Sequence, residues 1–408
     1  MTQSEIEKIR KDFPILQEKI YGKPLVYLDN AATTQKPNIV INTISEFYQK
    51  YNSNVHRGAH FLSNFTTEAL EKSRTTVQKF INADSVEEII FTRGTTESIN
   101  LVSYSFGELL QENNEIIISE MEHHSNFVPW QLLAERKKCH LKLIHFNDKG
   151  ILDTEELYNL ITDKTKLVAI TAISNVLGTV NPIKEIITKI RKKNRNTYIL
   201  IDGAQLVAHS KTDVKDLDCD FLAFSAHKLY GPTGIGILYG KKEILKKMPP
   251  FQSGGEMISS VSFEKTNFNI LPYKFEAGTP NYIDAIAFAK AIEYVNIIGP
   301  DKIHKYENSL LEYATEKIKT IEDLKIFGTS PKKSGVLSFN CGKIHHGDIG
   351  TLLDKMGIAI RTGTHCAEPI MQHFDITGTA RVSFSFYNTF EEIDIFINAL
   401  KKAVEMLK

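Results

Sequence analysis

The chain has 408 residues, 42% hydrophobic and 24% charged, which excludes disorder, collagen and a continuous coiled coil as descriptions of the whole. Its 49 Lys and Arg balance 49 Asp and Glu, so the basic surplus expected of a general nucleic-acid or anionic-membrane binder is missing. No apolar run reaches the roughly 18 residues of a transmembrane helix, and MTQSEIEKIRKDFP lacks a secretory apolar stretch, so a cytoplasmic protein of two or three domains is expected.

From about residue 88, short apolar runs alternate with helical patterns. EEIIFTR (87–93) leads into a helical stretch at 95–112. NEIIIS (114–119), LKLIHF (141–146) and KLVAITAI (166–173) follow, then a helix over PIKEIITKIRKKN (182–194). TYILID (197–202), DFLAFS (220–225) and GIGILYG (234–240) bring the apolar runs to seven. The runs are continuous rather than alternating, which suits strands buried on both faces. The pattern predicts an α/β fold with a mostly parallel seven-stranded sheet covered by helices, a large domain placed at 28–295. The polar, Gly-rich segment 252–280 reads as a structureless connection of functional or interfacial use. After Gly299-Pro300 come a helix at 301–319, GVLSFN (335–340), a helix at 347–357, IAIRTG (358–363), ARVSFSFYN (380–388) and a last helix at 390–408, which together read as a small α/β domain.

Ligands of open α/β sheets bind at the carboxyl ends of the strands, and several predicted strand ends here are polar. Lys228 follows DFLAFS and precedes the apolar LYGPTGIGILYG. Desolvation there lowers an amine pKa and yields the neutral nucleophile of a Schiff-base lysine; a lysine that only snorkels or holds a salt bridge is the plain alternative. Asp202, 26 residues earlier, is either a helix cap or an acid for a pyridinium nitrogen, one strand–helix–strand unit away. Thr95 and Thr96 open a helix and are phosphate ligands or simple N-caps. His123 is a stacking ring or a structural histidine beside His124. Cys366, in RTGTHCAEP, reads as an exposed thiol near Arg361 and His365, whereas Cys139, Cys219 and Cys341 read as structural. Arg381 is a carboxylate fork or a surface salt-bridge partner. No ligand set for a metal is read from the sequence.

SAHKLYGPTGIGILY, with IDGAQ upstream and RTGTHCAEP downstream, closely resembles the SufS-type (group II) cysteine desulfurases, within the class V aminotransferase family of fold-type I pyridoxal phosphate enzymes. The likeness runs through YLDNAATTQKP, VHRGAH (55–60), TRGTTESIN, MEHHSNFVPWQ, SNVLGTVNP, FEAGTPN and FYNTFEEID, and so covers nearly the whole chain.

The resemblance implies a large domain that binds pyridoxal 5'-phosphate (PLP) and a small domain made of 1–27 and 296–408. It implies Lys228 as the Schiff-base lysine, Asp202 on the pyridinium nitrogen, Gln205 on the phenolate oxygen and His123 stacked on the ring and active in proton transfer. Thr95, Thr96, Ser225 and His227 would hold the phosphate, with Thr279 completing the phosphate site of the neighbouring subunit in a homodimer. Asn175 and Arg381 would bind the substrate carboxylate, and Arg361, His56 and Arg57 would line the substrate pocket. The implied reaction converts L-cysteine to L-alanine through an external aldimine, with the sulfur captured as a persulfide on Cys366. The persulfide would pass to a SufE-type or zinc-bearing SufU-type acceptor for iron–sulfur cluster assembly. A selenocysteine lyase or cysteine-sulfinate desulfinase, acting on L-selenocysteine or the sulfinate, is the alternative within the fold. A non-catalytic scaffold is the alternative of a different class. Two positions depart from the family pattern: Thr364 stands where a histidine is usual, and Ser98 where glycine is usual.

Overall fold

A computed structural model describes residues 1–408. The seven apolar runs pair into one sheet. Its strands are β1 (Ile89–Thr92), β2 (Glu115–Ser119), β3 (His140–Ile144), β4 (Thr165–Thr171), β5 (Tyr198–Asp202), β6 (Phe221–Ser225) and β7 (Gly236–Gly240). Their spatial order is β1-β7-β6-β5-β4-β2-β3, and only β7 runs antiparallel to its neighbours. Side chains alternate across a strand, so consecutive isoleucines serve two cores. Ile90, Ile116 and Ile118 enter a cluster of 21 buried residues, while Ile89, Phe91 and Ile117 enter one of 77.

The larger cluster continues into a second sheet, so both sheets share one core. A four-stranded antiparallel sheet follows the chain's long helices. The helix α1 (Phe61–Phe80) packs on α3 (Tyr282–Ile298), which Gly299 ends before Pro300 opens α4 (Pro300–Ile318). The shorter α2 (Thr95–Leu101) follows β1 directly. The connection between β7 and α3 is not structureless. It forms an exposed hairpin of β8 (Ile258–Val261) and β9 (Thr266–Phe268), then a single turn at Tyr273–Phe275. The second sheet orders as β10-β11-β13-β12, from β10 (Leu324–Phe327), β11 (Val336–Cys341), β12 (Arg361–Gly363) and β13 (Thr379–Ser383). The short α5 (Glu368–His373) links β12 to β13, and α6 (Phe390–Leu407) closes the chain behind a Thr389–Glu392 capping box.

Three further segments differ from the sequence reading. The helix expected at 95–112 tightens only to Leu101 and then widens into a π-helical turn at Val102–Phe106. Val, Ser, Tyr and Phe are modest helix formers, and packing of Val102, Ser103, Ser105 and Phe106 sets the geometry. IAIRTG does not make one strand. Ile358–Ala359 pair in parallel with Val26–Tyr27, while Arg361–Gly363 pair with β13. β10 carried no clear signal, because its sequence, LKIF, is a short edge strand beside charged turns. The N-terminal segment also meets the second unit through Arg10, which pairs with Glu392 at 2.8 Å and donates to the Tyr387 carbonyl at 2.7 Å.

Candidate active site

The carboxyl ends of β1, β2, β4, β5 and β6 converge on an open cavity of about 280 Å³, whose wall is completed by residues of the second sheet and the Cys366 turn. Lys228, Asp202, Gln205, His123, Thr95, Thr96, Ser225, His227, Asn175, Arg361, Arg381 and Cys366 all line it. The convergence follows from topology. β5 and β6 are parallel neighbours with Asp202 paired to Ala223, so Asp202 and the Ser225–Lys228 turn leave the sheet at the same end.

Lys228 closes the single turn after β6, and no protein acceptor bonds its amine. Burial lowers its pKa from the usual lysine range to about 8, opposed by the Asp202 carboxylate and helped by Arg381 and Arg361. Asp202 is 4% exposed, and burial raises its pKa against the Ala204 N–H and Lys228. One Asp202 oxygen accepts from the Ala204 N–H at 2.9 Å. Gln205 is anchored by donating to the Ala31 carbonyl at 2.8 Å.

His123 is a neutral ring. Its Nδ1 accepts from the Ser125 N–H at 3.1 Å, which leaves the proton on Nε2. Burial and then Lys228 lower its pKa to about 4. Behind it lies Glu122, fully buried, its carboxyl pushed up to about 8 by burial. Glu122 accepts from Asn126 Nδ2 at 2.6 Å and from the Thr171 N–H at 3.0 Å, while Asn126 Oδ1 accepts from the Trp130 indole at 2.9 Å. This chain of bonds fixes the loop that presents His123.

At the other end of the cavity, α2 begins at Gly94 without a side-chain cap. The Thr95 N–H instead donates to Ser225 Oγ at 2.7 Å, and the Thr95 hydroxyl meets the same oxygen at 2.7 Å. Thr96 Oγ1 meets Ser125 Oγ at 2.7 Å. Gly236 is needed behind this corner, since a Cβ there would lie 2.4 Å from the Gly94 Cα. Hydroxyls and uncapped N–H groups at a helix start form an anion cradle. The His227 carbonyl is itself crowded with donors: Thr33 and Thr34 hydroxyls at 3.0 and 3.2 Å and Lys36 Nζ at 2.9 Å.

Arg381 is 2% exposed on β13. It donates to the Asn175 carbonyl at 2.9 Å and to Asp29 at 3.3 Å, and its Nε has no partner. Burial lowers its pKa to about 10. Arg361, on β12, holds Asp29 through Nε at 3.1 Å and Nη2 at 2.9 Å. Asn175 Nδ2 donates to the His365 carbonyl at 2.8 Å, tying the arginine corner to the Cys366 turn. Cys366 is exposed, whereas Cys219 and Cys341 are buried and their thiols pushed up by burial to about 12 and about 11.

Thr279, His56 and Arg57 do not line this cavity. Thr279 is exposed on the segment after the hairpin. His56, held at φ 70°, turns its ring between Glu71 at 3.2 Å and Glu256 at 3.1 Å, and Arg57 pairs with Glu256 at 2.9 Å. Within one chain, these carboxylates hold both side chains at an edge separate from the cavity. That edge continues to Thr279, because the Gly278 N–H donates to the Gly255 carbonyl at 3.0 Å, next to Glu256. Sequence reasoning assigned no role to Asp29, Lys36, Ser125 or Glu122. Asp29 and Lys36 sit in YLDNAATTQKP, and Glu122 and Ser125 in MEHHSN, so the segments were legible while the individual roles were not.

Residues 26–396 match the family model described as Aminotransferase class-V. The chain is 49% identical over 404 residues to a cysteine desulfurase of Salmonella newport (strain SL254), covering 98% of this chain and 99% of that protein. The apo structure of the cysteine desulfurase from Thermococcus onnurineus NA1 superposes with a TM-score of 0.93 at 38% identity, covering 98% of both chains. The cysteine desulfurase CsdA of Escherichia coli gives a TM-score of 0.92 at 37% identity over 99% of both chains. The chain belongs to the class-V aminotransferase family.

Proposed function

We propose that this class-V aminotransferase is a PLP-dependent cysteine desulfurase that releases L-alanine from L-cysteine and takes the sulfur on Cys366. The observation that carries the reading is the lining of one cavity by Lys228, Asp202 and Cys366 together. The residues present fit the cofactor. An amine with no acceptor, a buried carboxylate with one oxygen engaged and an uncapped helix start beside Ser225 match an aldehyde, a ring nitrogen and a phosphate. Bound there, PLP supplies an electron sink for the α-carbon of the substrate.

The remaining work falls to the chain. Lys228, with its lowered pKa, would hold the cofactor, and its amine would carry the α-proton once free. Asp202 would keep the ring nitrogen protonated, and Gln205 would serve the ring oxygen. His123 would lie against the ring, with the proton on Nε2 available for transfer. Thr95, Thr96, Ser225 and His227 would hold the phosphate. Asn175 and Arg381 hold the substrate carboxylate, with Arg361 beside them. The Cys366 thiolate attacks the substrate sulfur, so that a sulfur–sulfur bond forms as the carbon–sulfur bond breaks. The β-carbon takes a proton and leaves in L-alanine, and the protein keeps the persulfide. No outside oxidant is required, because the sulfur atom is oxidised as the carbon is reduced.

The edge bearing His56, Arg57 and Thr279 serves the site of a second subunit in a homodimer. Exposed Phe61, Phe263, Phe268 and Ile270 on α1 and around the hairpin support this assembly, since apolar surface of this kind marks interfaces. An exposed Cys366 suits hand-over of the persulfide to a SufE-type or SufU-type acceptor for iron–sulfur cluster assembly. The test is alanine formation by the PLP-loaded protein, given L-cysteine or L-selenocysteine. Turnover of L-cysteine that is lost in Lys228→Ala supports the reading. Turnover of L-selenocysteine alone transfers the assignment to a selenocysteine lyase.

A further inference from the structure

We propose that Glu368, acting with His124 and Thr364, is a positioning residue for Cys366: the three side chains clasp the turn that carries the thiol. The inference rests on the reading of Cys366 as the sulfur acceptor.

The turn is unusual in its backbone. The Ala367 N–H donates to the Thr364 carbonyl at 3.1 Å, and the two residues between them, His365 and Cys366, both have φ of 56°. Paired positive φ at the centre of a β-turn suits glycine and asparagine, and residues with a Cβ disfavour it. A His-Cys pair therefore needs outside restraint to stay there.

The restraint comes from two sides. Toward the protein, Asn175 Nδ2 donates to the His365 carbonyl at 2.8 Å, and His365 Nε2 meets Thr379 Oγ1 at 2.9 Å. These bonds hold His365 and leave Cys366 itself free. Toward solvent, the His124 N–H donates to the Cys366 carbonyl at 2.8 Å. The Glu368 carboxylate accepts from the Thr364 hydroxyl at 2.9 Å and pairs with the His124 imidazole. Glu368 thus ties the residue two before Cys366 to the residue that binds the Cys366 carbonyl. Partial burial works to raise the Glu368 carboxyl pKa, but Thr364, its own N–H and His124 outweigh it and hold the group below the usual range.

None of the three side chains lines the Lys228 cavity. Exposed ion pairs contribute little to global stability. The clasp therefore acts where it sits, on the aim and mobility of one thiol, and can be cut without touching the cofactor or carboxylate contacts. It also gives Thr364 a use at the position where a histidine is usual in the family pattern.

The test uses the PLP-loaded enzyme and three variants: Glu368→Ala, Thr364→Val and Glu368→Gln. Iodoacetamide labelling of Cys366 is followed by peptide mass, with Cys139 as the internal reference, alongside kcat and KM for alanine formation and the cofactor absorbance. Loss of hydrogen bonds of this kind is expected to speed Cys366 labelling about fivefold and lower kcat about fivefold in Glu368→Ala. KM and absorbance stay within about twofold of wild type. Thr364→Val shifts both in the same direction, and Glu368→Gln, which keeps an acceptor oxygen for Thr364 but loses the charge facing His124, shifts both less than Glu368→Ala. Cys366 labelling at or below the wild-type rate in Glu368→Ala overturns the proposal, whether or not kcat falls. Should Glu368→Ala not fold, Thr364→Val decides by the same criterion. Labelling that responds as expected in an enzyme that makes no alanine leaves the clasp standing and removes the desulfurase reading instead.

Discussion

Arg361 and Arg381 share a single carboxylate, Asp29. Arg361 holds it at 2.9 Å and Arg381 at 3.3 Å. Two guanidiniums on one carboxylate leave a surplus of one positive charge at the cavity wall, the complement of an α-carboxylate. Arg381 is the buried member, so its fork is fixed and poorly replaced by a lysine. Arg381→Lys is expected to raise KM for L-cysteine by at least ~30-fold, the scale for disrupting a buried charge pair, while the cofactor spectrum stays unchanged. Steady-state kinetics with parallel absorbance spectra check it; an unchanged KM places the carboxylate elsewhere.

Lys228 has a pKa lowered to about 8, and its neutral form is the one that bonds an aldehyde. At pH 7 roughly a tenth of such amines are neutral, against roughly one in three thousand for an ordinary lysine. Cofactor uptake by the cofactor-free protein should therefore accelerate almost tenfold per unit below pH 8 and level off above it. Stopped-flow absorbance across that range reads the midpoint. A rate still climbing steeply at pH 10 contradicts the burial argument.

Glu122 gives a stability prediction. Its folded pKa of about 8 lies above the ordinary carboxyl value, so the fold favours the protonated acid. That contribution is complete below about pH 4.3, the unfolded value, and is lost as pH rises through about 8. Glu122→Gln keeps the shape without the proton. Its melting temperature should gain on wild type by several degrees across this window. A constant difference from pH 5 to pH 8 would show Glu122 ionised in the fold.

Much of this was legible in the residues. Continuous apolar runs such as EIIIS and FLAFS announced doubly covered strands, because burial on both faces erases polar alternation. Parallel neighbours then brought Asp202 and Lys228 to one end of the sheet. Less legible was whatever depends on contacts distant in sequence. Asp29 reaches Arg361 and Arg381 across more than 300 residues, and nothing local marks it as their partner. Nor does anything local mark Glu71 and Glu256 as the carboxylates that hold His56 at an edge away from the cavity of its own chain. The hairpin at Ile258–Phe268 escaped notice because ISSV and TNF carry few buried positions to set a period.

The proposed homodimer has its own test. Phe263 and Ile270 stand exposed near Thr279 in sequence, Phe263 fully so. A charge placed there should cost interface affinity without disturbing the core. Phe263→Asp is expected to shift the mass in solution from dimer toward monomer by light scattering, and to lower activity in proportion. A wild-type protein that is monomeric at micromolar concentration would contradict the shared-edge reading of His56, Arg57 and Thr279.

In the proposed reaction Cys366 accepts sulfur within a cavity whose cofactor site stands without it. The most direct measurement is alanine formation from L-cysteine by wild type and Cys366→Ala, with reductant present, the cofactor absorbance recorded and the intact mass taken after one turnover without reductant. Equal cofactor absorbance, alanine from wild type alone, and a gain of one sulfur atom in the mass of wild type but not of Cys366→Ala are expected. Equal alanine from both proteins, with no added sulfur on Cys366, would contradict the proposed reaction.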